Sequence, residues 1–262
     1  MTLVKTKLCL ILAAPLLLCQ CDKDDDNTVP PSPNYADSVK AGLWAYYTFD
    51  NSLADQSGNN HSGTGFNNIH FTYDIWGEDN KALDFNGVNN YVSIEDGKQF
   101  PEGDFSISFL VMPRTIHGGR IIHKVDITNA KGASAGIGFN IDNVSPQLVF
   151  NISKTTDVCN SYMDLSTSTP LTISNTLQPY AWYHVTCKFE KNIMKAYYNG
   201  KLVATLDRSN EVSKQCSSAP FNLGIWWLND LRPFDGKLDE LRIYTRGLSE
   251  DEIEWLARDA MN

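Results

Sequence analysis

Two neighbouring carboxylates near the end of the chain could support acid–base chemistry or cation binding. Asp239 and Glu240 stand between the apolar residues Leu238 and Leu241, in a stretch with the character of a β-strand. An unpaired carboxylate is costly to bury, so each must face water, bind a cation or accept hydrogen bonds from a neighbouring strand. Adjacent residues of a strand point to opposite faces of the sheet. We therefore predict that Asp239 and Glu240 do not act as a catalytic pair.

An aromatic stretch just before this pair has the residue types that recognise sugars. Trp226 and Trp227 are followed by Asn229, Asp230 and Arg232. Aromatic rings offer a large apolar face for a sugar ring, while amide, carboxylate and guanidinium groups can hold its hydroxyls. This pattern predicts four ligand-binding residues, namely Trp226, Trp227, Asn229 and Arg232. The alternative is that these side chains pack as core or as loop anchors.

Other aromatic residues fall in stretches that are typical of loops. Tyr73 and Trp76 are the two that we add to the predicted ligand-binding residues, and Tyr162 lies in a long polar stretch. The same alternative, packing as loop anchors, applies to each of them. Loops are where binding residues concentrate, so these positions fit a binding function.

Recognisable catalytic motifs are not found in the sequence. A retaining glycosidase needs two carboxylates about 5 Å apart on one face, and no run of alternating acidic residues provides them. His184 lies within the strand-like stretch Trp182–Phe189 and is predicted to be structural. We therefore predict a protein that is not an enzyme, with a divergent glycoside hydrolase as the least favoured alternative.

The elements that would position these residues are mostly short strands. Apolar and polar residues alternate along most of the chain between regularly spaced turn signals, of which Asn199–Gly200 is the strongest hairpin signal. Ser249 with Glu252 forms a capping box for a C-terminal helix, and Leu248 with Ile253 forms a hydrophobic staple. The pattern predicts an all-β fold, a two-sheet antiparallel sandwich with a short C-terminal helix.

The composition of the chain indicates its core size, its classes of partner and the state of its cysteines. The chain has 262 residues, of which 42% are hydrophobic, enough for one sizeable core. Its net charge of −9 argues against nucleic acid as a partner. Three cysteines fall in the body of the chain, and alternation predicts that Cys187 is a buried core thiol. Whether Cys159 and Cys216 form a disulfide stays open.

The N-terminus is similar to a bacterial lipoprotein leader. Lysines precede the apolar run Leu8–Leu18, which is too short to span a bilayer comfortably. Cys19 and Cys21 are both candidates for lipidation, and we favour Cys21 because the acidic stretch Asp22–Asp26 follows it directly. That stretch resembles the export signal of surface lipoproteins in glycan-foraging Gram-negative anaerobes. The alternative is an ordinary secretory signal peptide followed by a charged linker.

These features divide the chain into three parts. Residues 1–20 are predicted to be a lipoprotein signal peptide, and residues 21–39 a lipidated, acidic and proline-rich tether. Residues 40–262 are predicted to be one folded domain. The predicted location is the outer membrane, which the protein contacts through its lipid anchor without spanning it, with the domain exposed on the cell surface.

Several short motifs resemble those of LamG-like jelly-roll domains, which belong to the concanavalin A-like lectin/glucanase superfamily. The closing motif is Phe234–Tyr244, and the opening motif is Tyr47–Leu53 with Asp55–Asn59. The motifs between them, in the family's order, are Ala82–Gly87, Tyr91–Ile94, Phe105–Phe109, Trp182–Val185 and Tyr197–Val203. The resemblance covers roughly residues 42 to 258 and implies a concanavalin A-like jelly roll.

The resemblance also implies a metal and a class of ligand. Related domains often hold a structural calcium near the opening loop and the closing Asp-Glu strand, which makes Asp50, Asp55 and Asp239 candidate ligands. The alternative for Asp50 and Asp55 is that they stabilise turns. The function implied is a non-catalytic, lectin-like module that binds a glycan or polysaccharide. A protein-binding or adhesion module of the same fold is the alternative.

Overall fold

The computed structural model describes residues 34–96, 103–125, 133–139, 147–152, 171–173, 177–209, 220–226 and 231–262. A compact unit runs from Asn34 to Asn262. It therefore begins earlier than the predicted boundary at residue 40. The leader, the tether up to residue 33, Cys21, Cys159, Tyr162 and Cys216 lie outside the described residues. Within the described residues, no helix is long and apolar enough to cross a membrane.

Fifteen strands and two helices make up the described elements. The strands of the first sheet are β1 (Leu43–Tyr47), β3 (His70–Thr72), β4 (Ala82–Asn86), β6 (Phe105–Pro113), β11 (Tyr183–Glu190), β12 (Ile193–Tyr198), β13 (Lys201–Asp207) and β15 (Asp235–Tyr244). Those of the second sheet are β2 (Thr64–Phe66), β5 (Tyr91–Ile94), β7 (Arg120–Val125), β8 (Ala133–Phe139), β9 (Leu148–Ile152), β10 (Leu171–Ile173) and β14 (Phe221–Leu223). The helices are α1 (Tyr35–Ser38) and α2 (Glu250–Met261).

The strands form two antiparallel sheets. The first has the order β13-β12-β11-β6-β15-β4-β3, with β1 also paired to β15, and the second has the order β10-β9-β8-β7-β14-β5-β2. Apolar side chains from both sheets form one buried core, among them Phe109, Val185 and Leu238 from the first and Ile122, Phe150 and Leu223 from the second. The predicted jelly-roll sandwich with a short C-terminal helix is confirmed.

The structure confirms the predicted hairpin turn at Asn199–Gly200 and the predicted capping box of the terminal helix. Asn199 and Gly200 both have positive φ, as a tight hairpin between β12 and β13 requires. The Ser249 hydroxyl accepts a hydrogen bond from the Glu252 backbone N–H, and the Glu252 carboxylate accepts one from the Ser249 backbone N–H. This reciprocal pair is the predicted capping box.

The predicted roles of two buried polar residues agree with their surroundings. The Cys187 thiol lies in the core, and its burial raises the pKa of the thiol. His184 Nε2 lies 2.9 Å from the Ser108 hydroxyl, and burial lowers the pKa of this imidazole to about 3. Both groups are closed off from solvent, so neither is positioned for chemistry with a ligand.

Three short strands were not predicted. Strands β2 and β3 lie in or beside a stretch rich in turn-forming residues, and all of β2 is exposed. Strand β10 lies near the end of the long polar stretch that contains Tyr162 in the sequence. Leu171 and Ile173 are buried on either side of exposed Thr172, so three residues suffice to pair with β9. Such short segments depend on their partner strands, which sequence alone does not reveal.

Candidate ligand-binding cleft

The candidate site forms where strand β15 changes its neighbour. Along one edge, β15 pairs with β4 from Asp235 to Leu238 and then with β1 from Leu241 to Tyr244. Asp239 and Glu240 occupy the gap between these two partners. On the other edge, Asp239 lies opposite Leu110 of β6, whereas Arg242 lies opposite Ser108, so β15 contains one extra residue there. This is a β-bulge, and Glu240 adopts a φ of 50° within it.

The bulge corrects the prediction that the two carboxylates point to opposite faces. Leu238 and Leu241 are both fully buried in the core, although an uninterrupted strand would place residues three apart on opposite faces. Asp239 and Glu240 therefore lie together on the outer side, where both line one cleft. The spacing of three between the apolar positions was the signal for a bulge in the sequence.

The cleft has a volume of about 270 Å³ and a largely acidic lining. Strand β1 and the residues after it contribute Tyr46 and Asp50, the loop between β3 and β4 contributes Trp76, and the end of α2 contributes Asp259. The carboxylates that line it are Asp50, Asp74, Glu78, Asp239, Glu240 and Asp259, and the cationic residues are Lys81 and Arg242. This lining offers many hydrogen-bond acceptors beside aromatic surface.

A hydrogen-bonded triad holds one wall of the cleft in place. The Tyr46 hydroxyl donates to the Glu240 carboxylate at 2.8 Å and accepts from the Arg242 guanidinium at 3.0 Å. Arg242 also forms a 2.7 Å ion pair with Glu240, and its guanidinium lies 4.2 Å from the centre of the Tyr46 ring. Burial, together with the Glu240 charge, raises the pKa of Tyr46. The wall is therefore prearranged before any ligand arrives.

Asp239 is in a different environment from Glu240. Only 5% of the residue is exposed, and one of its oxygens accepts a 2.7 Å hydrogen bond from the Glu240 backbone N–H. Burial, reinforced by the neighbouring Glu240 charge, raises the pKa of Asp239 to about 8. At neutral pH this side chain is therefore mostly protonated, and it can donate a hydrogen bond as well as accept one.

Trp76 stands at the rim of the cleft on a loop that is organised by one aspartate. The Asp74 carboxylate accepts hydrogen bonds from the backbone N–H groups of Trp76 and Glu78, each at 2.8 Å. Gly77 takes a φ of 81°, a conformation that suits glycine. The loop leaves 57% of Trp76 exposed, an unusual fraction for so large an apolar side chain. Its ring is accessible to a ligand in the cleft.

The other predicted aromatic residues are placed differently. Trp226 is only 6% exposed, and the Arg232 guanidinium lies 4.3 Å from the centre of its ring. That burial leaves almost no ring surface for a sugar, so the alternative role of loop anchor describes Trp226 and Arg232 better than ligand binding does. Trp227 and Asn229 lie outside the described residues. Tyr73 is exposed but does not line the cleft, and the Lys237 ammonium lies 6.0 Å from its ring centre.

The three predicted calcium ligands do not converge. Asp55 accepts hydrogen bonds from the backbone N–H groups of Tyr46, Ser57 and His61, and from the Ser57 hydroxyl. Burial acts to raise the pKa of Asp55, but these hydrogen bonds outweigh it and lower the pKa. The same bonds fit the alternative role of Asp55 as a turn stabiliser. Asp50 and Asp239 line the same cleft, where Asp50 pairs with Lys81 at 3.1 Å. In the described part of the chain, no three His, Cys, Asp or Glu side chains form a group that could hold a metal ion. Asp50 and Asp239 line one cleft and Asp55 does not, so calcium binding stays a prediction that concerns only the first two.

Tyr46 and Arg242 line the cleft but are not among the predicted site residues. Each is a partly buried residue of a core strand, and nothing in its local sequence marks it as a site residue. They meet because β1 pairs with β15 in a register that sets Tyr46 opposite Arg242. Long-range strand pairing therefore created this part of the site.

Solved structures with the same fold include several binding domains. Domain 4 of AbnA, an extracellular arabinanase from Geobacillus stearothermophilus solved in complex with arabinotriose, is 23% identical, with a TM-score of 0.65 over 82% of this chain and 98% of that one. The binding domain of Paraclostridial Mosquitocidal Protein 1 is 19% identical, with a TM-score of 0.64 over 86% of this chain and 53% of that one. The binding domain of botulinum neurotoxin DC, in complex with SialylT, is 17% identical, with a TM-score of 0.61 over 85% and 52%.

The match spans about half the length of the two toxin domains, so what those proteins bind is not assigned to the shared half. At these identities the likeness shows the fold alone. No curated protein matches the chain significantly. A family model described as Laminin_G_3, concanavalin A-like lectin/glucanases superfamily, matches residues 86–254, which is most of the folded unit. This chain therefore belongs to the Laminin_G_3 family of the concanavalin A-like lectin/glucanase superfamily.

Proposed function

We propose that this protein is a non-catalytic carbohydrate-binding module and that the acidic cleft beneath Trp76 is its binding site. The observation that carries the proposal is the exposed Trp76 ring beside a prearranged set of hydrogen-bonding groups. An aromatic ring can stack on the apolar face of a sugar, while carboxylates and a guanidinium hold its hydroxyls. The structural likeness to an arabinanase domain solved with arabinotriose supports this class of ligand.

Asp239 and Glu240 are close enough in the cleft that their positions alone do not argue against catalysis. The bulge places Asp239 and Glu240 in one cleft, so the sequence-based objection to a catalytic pair no longer holds. The Glu240 carboxylate is instead engaged by both Tyr46 and Arg242, which reduces its capacity to act as a nucleophile or base. We expect no release of reducing ends from any glycan that binds. Release that disappears in Asp239→Asn and Glu240→Gln variants would overturn this part of the proposal.

The ligand-binding experiment compares matched aromatic substitutions. Purified protein is titrated calorimetrically against arabinan, xylan, mannan, amylopectin, β-glucan and polygalacturonate. We expect binding to at least one polysaccharide, and Trp76→Ala should weaken it by about tenfold or more, the loss typical of an aromatic anchor. The control is Tyr180→Ala, because Tyr180 is an even more exposed aromatic residue that does not line the cleft.

Unchanged affinity in Trp76→Ala would move the site elsewhere on the domain. Failure of every glycan would overturn the carbohydrate proposal and favour the protein-binding alternative. The binding domain of botulinum neurotoxin DC has also been solved with rat synaptotagmin II, so domains that share this fold occur in proteins with protein partners. A pull-down with the purified protein would then identify a partner.

We also propose that the protein is an outer-membrane lipoprotein that displays the module on the cell surface. The support is the short apolar leader, followed by Cys21, the acidic run and the proline-rich tether. Full-length protein expressed in a Gram-negative host should incorporate a palmitate analogue, and Cys21→Ala should abolish incorporation while Cys19→Ala retains it. Retention in Cys21→Ala would contradict the assigned lipidation site. Digestion by protease added to whole cells tests surface display.

Structural calcium is part of the same proposal, with Asp50 and Asp239 as its side-chain ligands. The support is that both carboxylates line one cleft and that Asp239 is buried with an incomplete set of hydrogen bonds. Bound calcium would take the place of the Asp239 proton and offset the charge of the ionised carboxylate. The thermal midpoint should rise in calcium relative to chelator, and Asp239→Asn should remove the rise. An identical midpoint in calcium and chelator would overturn this proposal.

A further inference from the structure

We infer that the binding site continues into a second cleft beyond the Tyr46–Arg242 wall, and that the site binds an uncharged oligosaccharide rather than a single sugar. This inference rests on the proposed carbohydrate-binding function and defines its ligand class. The second cleft has a volume of about 510 Å³, larger than the first. It is lined by residues that include Lys40, Tyr46, Gln56, Asn59, Arg242 and Trp255.

The two clefts share one wall. Tyr46 and Arg242 line both of them, and these residues face each other across the β1–β15 pair. The wall is held by the hydrogen bonds and the ion pair with Glu240. A ligand that leaves the first cleft over this wall therefore enters the second without crossing another element. A chain of sugars fits such a continuous path, whereas a monosaccharide needs only one cleft.

The second cleft repeats the chemistry of the first with amides in place of carboxylates. Trp255 is half-buried on α2, so part of its indole ring faces the cleft side of the helix. The Gln56 backbone N–H donates to Tyr46 O at 2.7 Å, while the exposed Gln56 side chain makes no hydrogen bond with described residues. Asn59 donates its amide N–H groups to Leu43 O and Trp44 O, at 2.9 and 3.1 Å, which leaves its side-chain oxygen as an acceptor. An aromatic face beside two amide side chains suits sugar hydroxyls.

The charges of the two clefts favour an uncharged ligand. Six acidic side chains line the first cleft, and all except the largely protonated Asp239 would repel an acidic sugar by their charge. Each described cation that lines either cleft already has an acidic partner: Lys81 pairs with Asp50 at 3.1 Å, Arg242 with Glu240 at 2.7 Å, and Lys40 with Asp37 at 2.8 Å. The positive charge of each cation is therefore already partly offset, which weakens its attraction for an anionic sugar.

The test uses oligosaccharides of increasing length. The purified protein is titrated with arabino-, xylo-, manno- and malto-oligosaccharides of two to six units, and with oligogalacturonides as the acidic counterpart. For the neutral series that binds, affinity should rise by about tenfold or more from the dimer to the hexamer, because only the longer ligand contacts both clefts. Oligogalacturonides of equal length should bind more weakly.

Two substitutions separate the clefts. Trp255→Leu and Gln56→Ala should each weaken hexamer binding by roughly three- to tenfold and leave dimer binding unchanged, whereas Trp76→Ala should weaken both. Leucine keeps apolar cover on the core beneath α2, and Gln56→Ala provides a second variant at an exposed position that carries little risk to folding. The control is Gln178→Ala, an exposed glutamine that lines neither cleft.

Three results would overturn the inference while the proposed function stands: affinity independent of length, no loss in either Trp255→Leu or Gln56→Ala, or tighter binding of oligogalacturonides. The absence of binding to any oligosaccharide would instead remove the carbohydrate-binding function, and the inference with it. A thermal melt of each variant distinguishes a lost contact from a lost fold.

Discussion

Two carboxyl groups near the C-terminus have similar solvent exposure, but their pKa values are shifted in opposite directions. Asp239 is 5% exposed and Glu252 is 6% exposed. Glu252 lies in the first turn of α2, and Asp239 lies in the bulge of β15. Burial acts to raise the pKa of both, yet the pKa of Glu252 falls to about 2 while that of Asp239 rises to about 8. The difference comes from the stronger desolvation of Asp239 and from the hydrogen bonds and charges that surround each group.

Glu252 receives a full set of donors. Arg246 donates to both of its oxygens at 2.7 Å, in the parallel geometry that makes such pairs strong. Ser38 from α1 and the Ser249 backbone N–H each donate at 2.8 Å. This network joins α1, α2 and the end of β15, so Glu252 has a structural role.

Asp239 receives one backbone hydrogen bond and sits beside a second negative charge. The fold therefore leaves a buried carboxyl group with capacity for a further partner at the base of a cleft. Groups of this kind cluster at functional sites. The comparison separates two roles: Glu252, which is fully bonded, stabilises the fold, whereas Asp239, which is incompletely bonded, supports the proposal of a binding site in its cleft.

The largest expected effect is the loss of the Glu252 charge. Glu252→Gln removes the ionic partner of Arg246 and should lower the free energy of unfolding by about 3 kcal/mol, as for a broken buried ion pair. Chemical denaturation at pH 7 measures it. Glu254→Gln, on an exposed position of the same helix, is the control and should change stability little. Equal stability of Glu252→Gln and the original protein would refute the structural role.

The pH dependence of that effect follows from the depressed pKa of Glu252. Its stabilisation is present above the ordinary pKa of 4.5 and is lost as the pH falls through the folded pKa of about 2. The stability difference between the original protein and Glu252→Gln should therefore shrink between about pH 5 and pH 2. A difference that stays constant over this range would show that the charge of Glu252 is not its source.

The opposite pH dependence is expected at Asp239. Between its ordinary pKa of 3.8 and its folded pKa of about 8, the folded state binds the extra proton, so stability falls as the pH rises through this window. Asp239→Asn removes the ionisable group, so the variant should not lose this stability as the pH rises. In chelator, the variant should be more stable than the original protein by roughly 1–3 kcal/mol at pH 8 and about equal to it at pH 4. Destabilisation at pH 8 would mean that the carboxylate has a partner that stabilises its charge.

The smallest expected effect lies in the wall between the two clefts. Tyr46→Phe removes the hydroxyl that joins Glu240 to Arg242 and should cost about 1 kcal/mol of stability, the usual contribution of such hydrogen bonds. Tyr35→Phe removes an exposed tyrosine hydroxyl that donates to Asp251 at 3.0 Å, and serves as the control. Denaturation of both variants tests whether the wall is more strongly held than a surface contact. Equal losses would show that it is not.

Local signals in the sequence determined a large part of this protein. Alternating apolar residues, the Asn199–Gly200 turn and the capping box each depend on residues close together in the chain, and each held in the structure. The ordered motifs identified the family in the same way. Trp76 was also predicted from its loop-like surroundings, and its exposure fits that prediction.

Only the tertiary structure decided where the proposed site lies. Whether Asp239 and Glu240 share a face depends on a bulge, and the gap that they occupy depends on β15 exchanging β4 for β1. Trp226 is of a residue type that often binds sugars, but it is buried and packs against Arg232. Sequence patterns report which residues prefer water or the core. Strand register and partner exchange are set by contacts between residues far apart in the chain, and these contacts decide which of the polar and aromatic residues meet in a cleft.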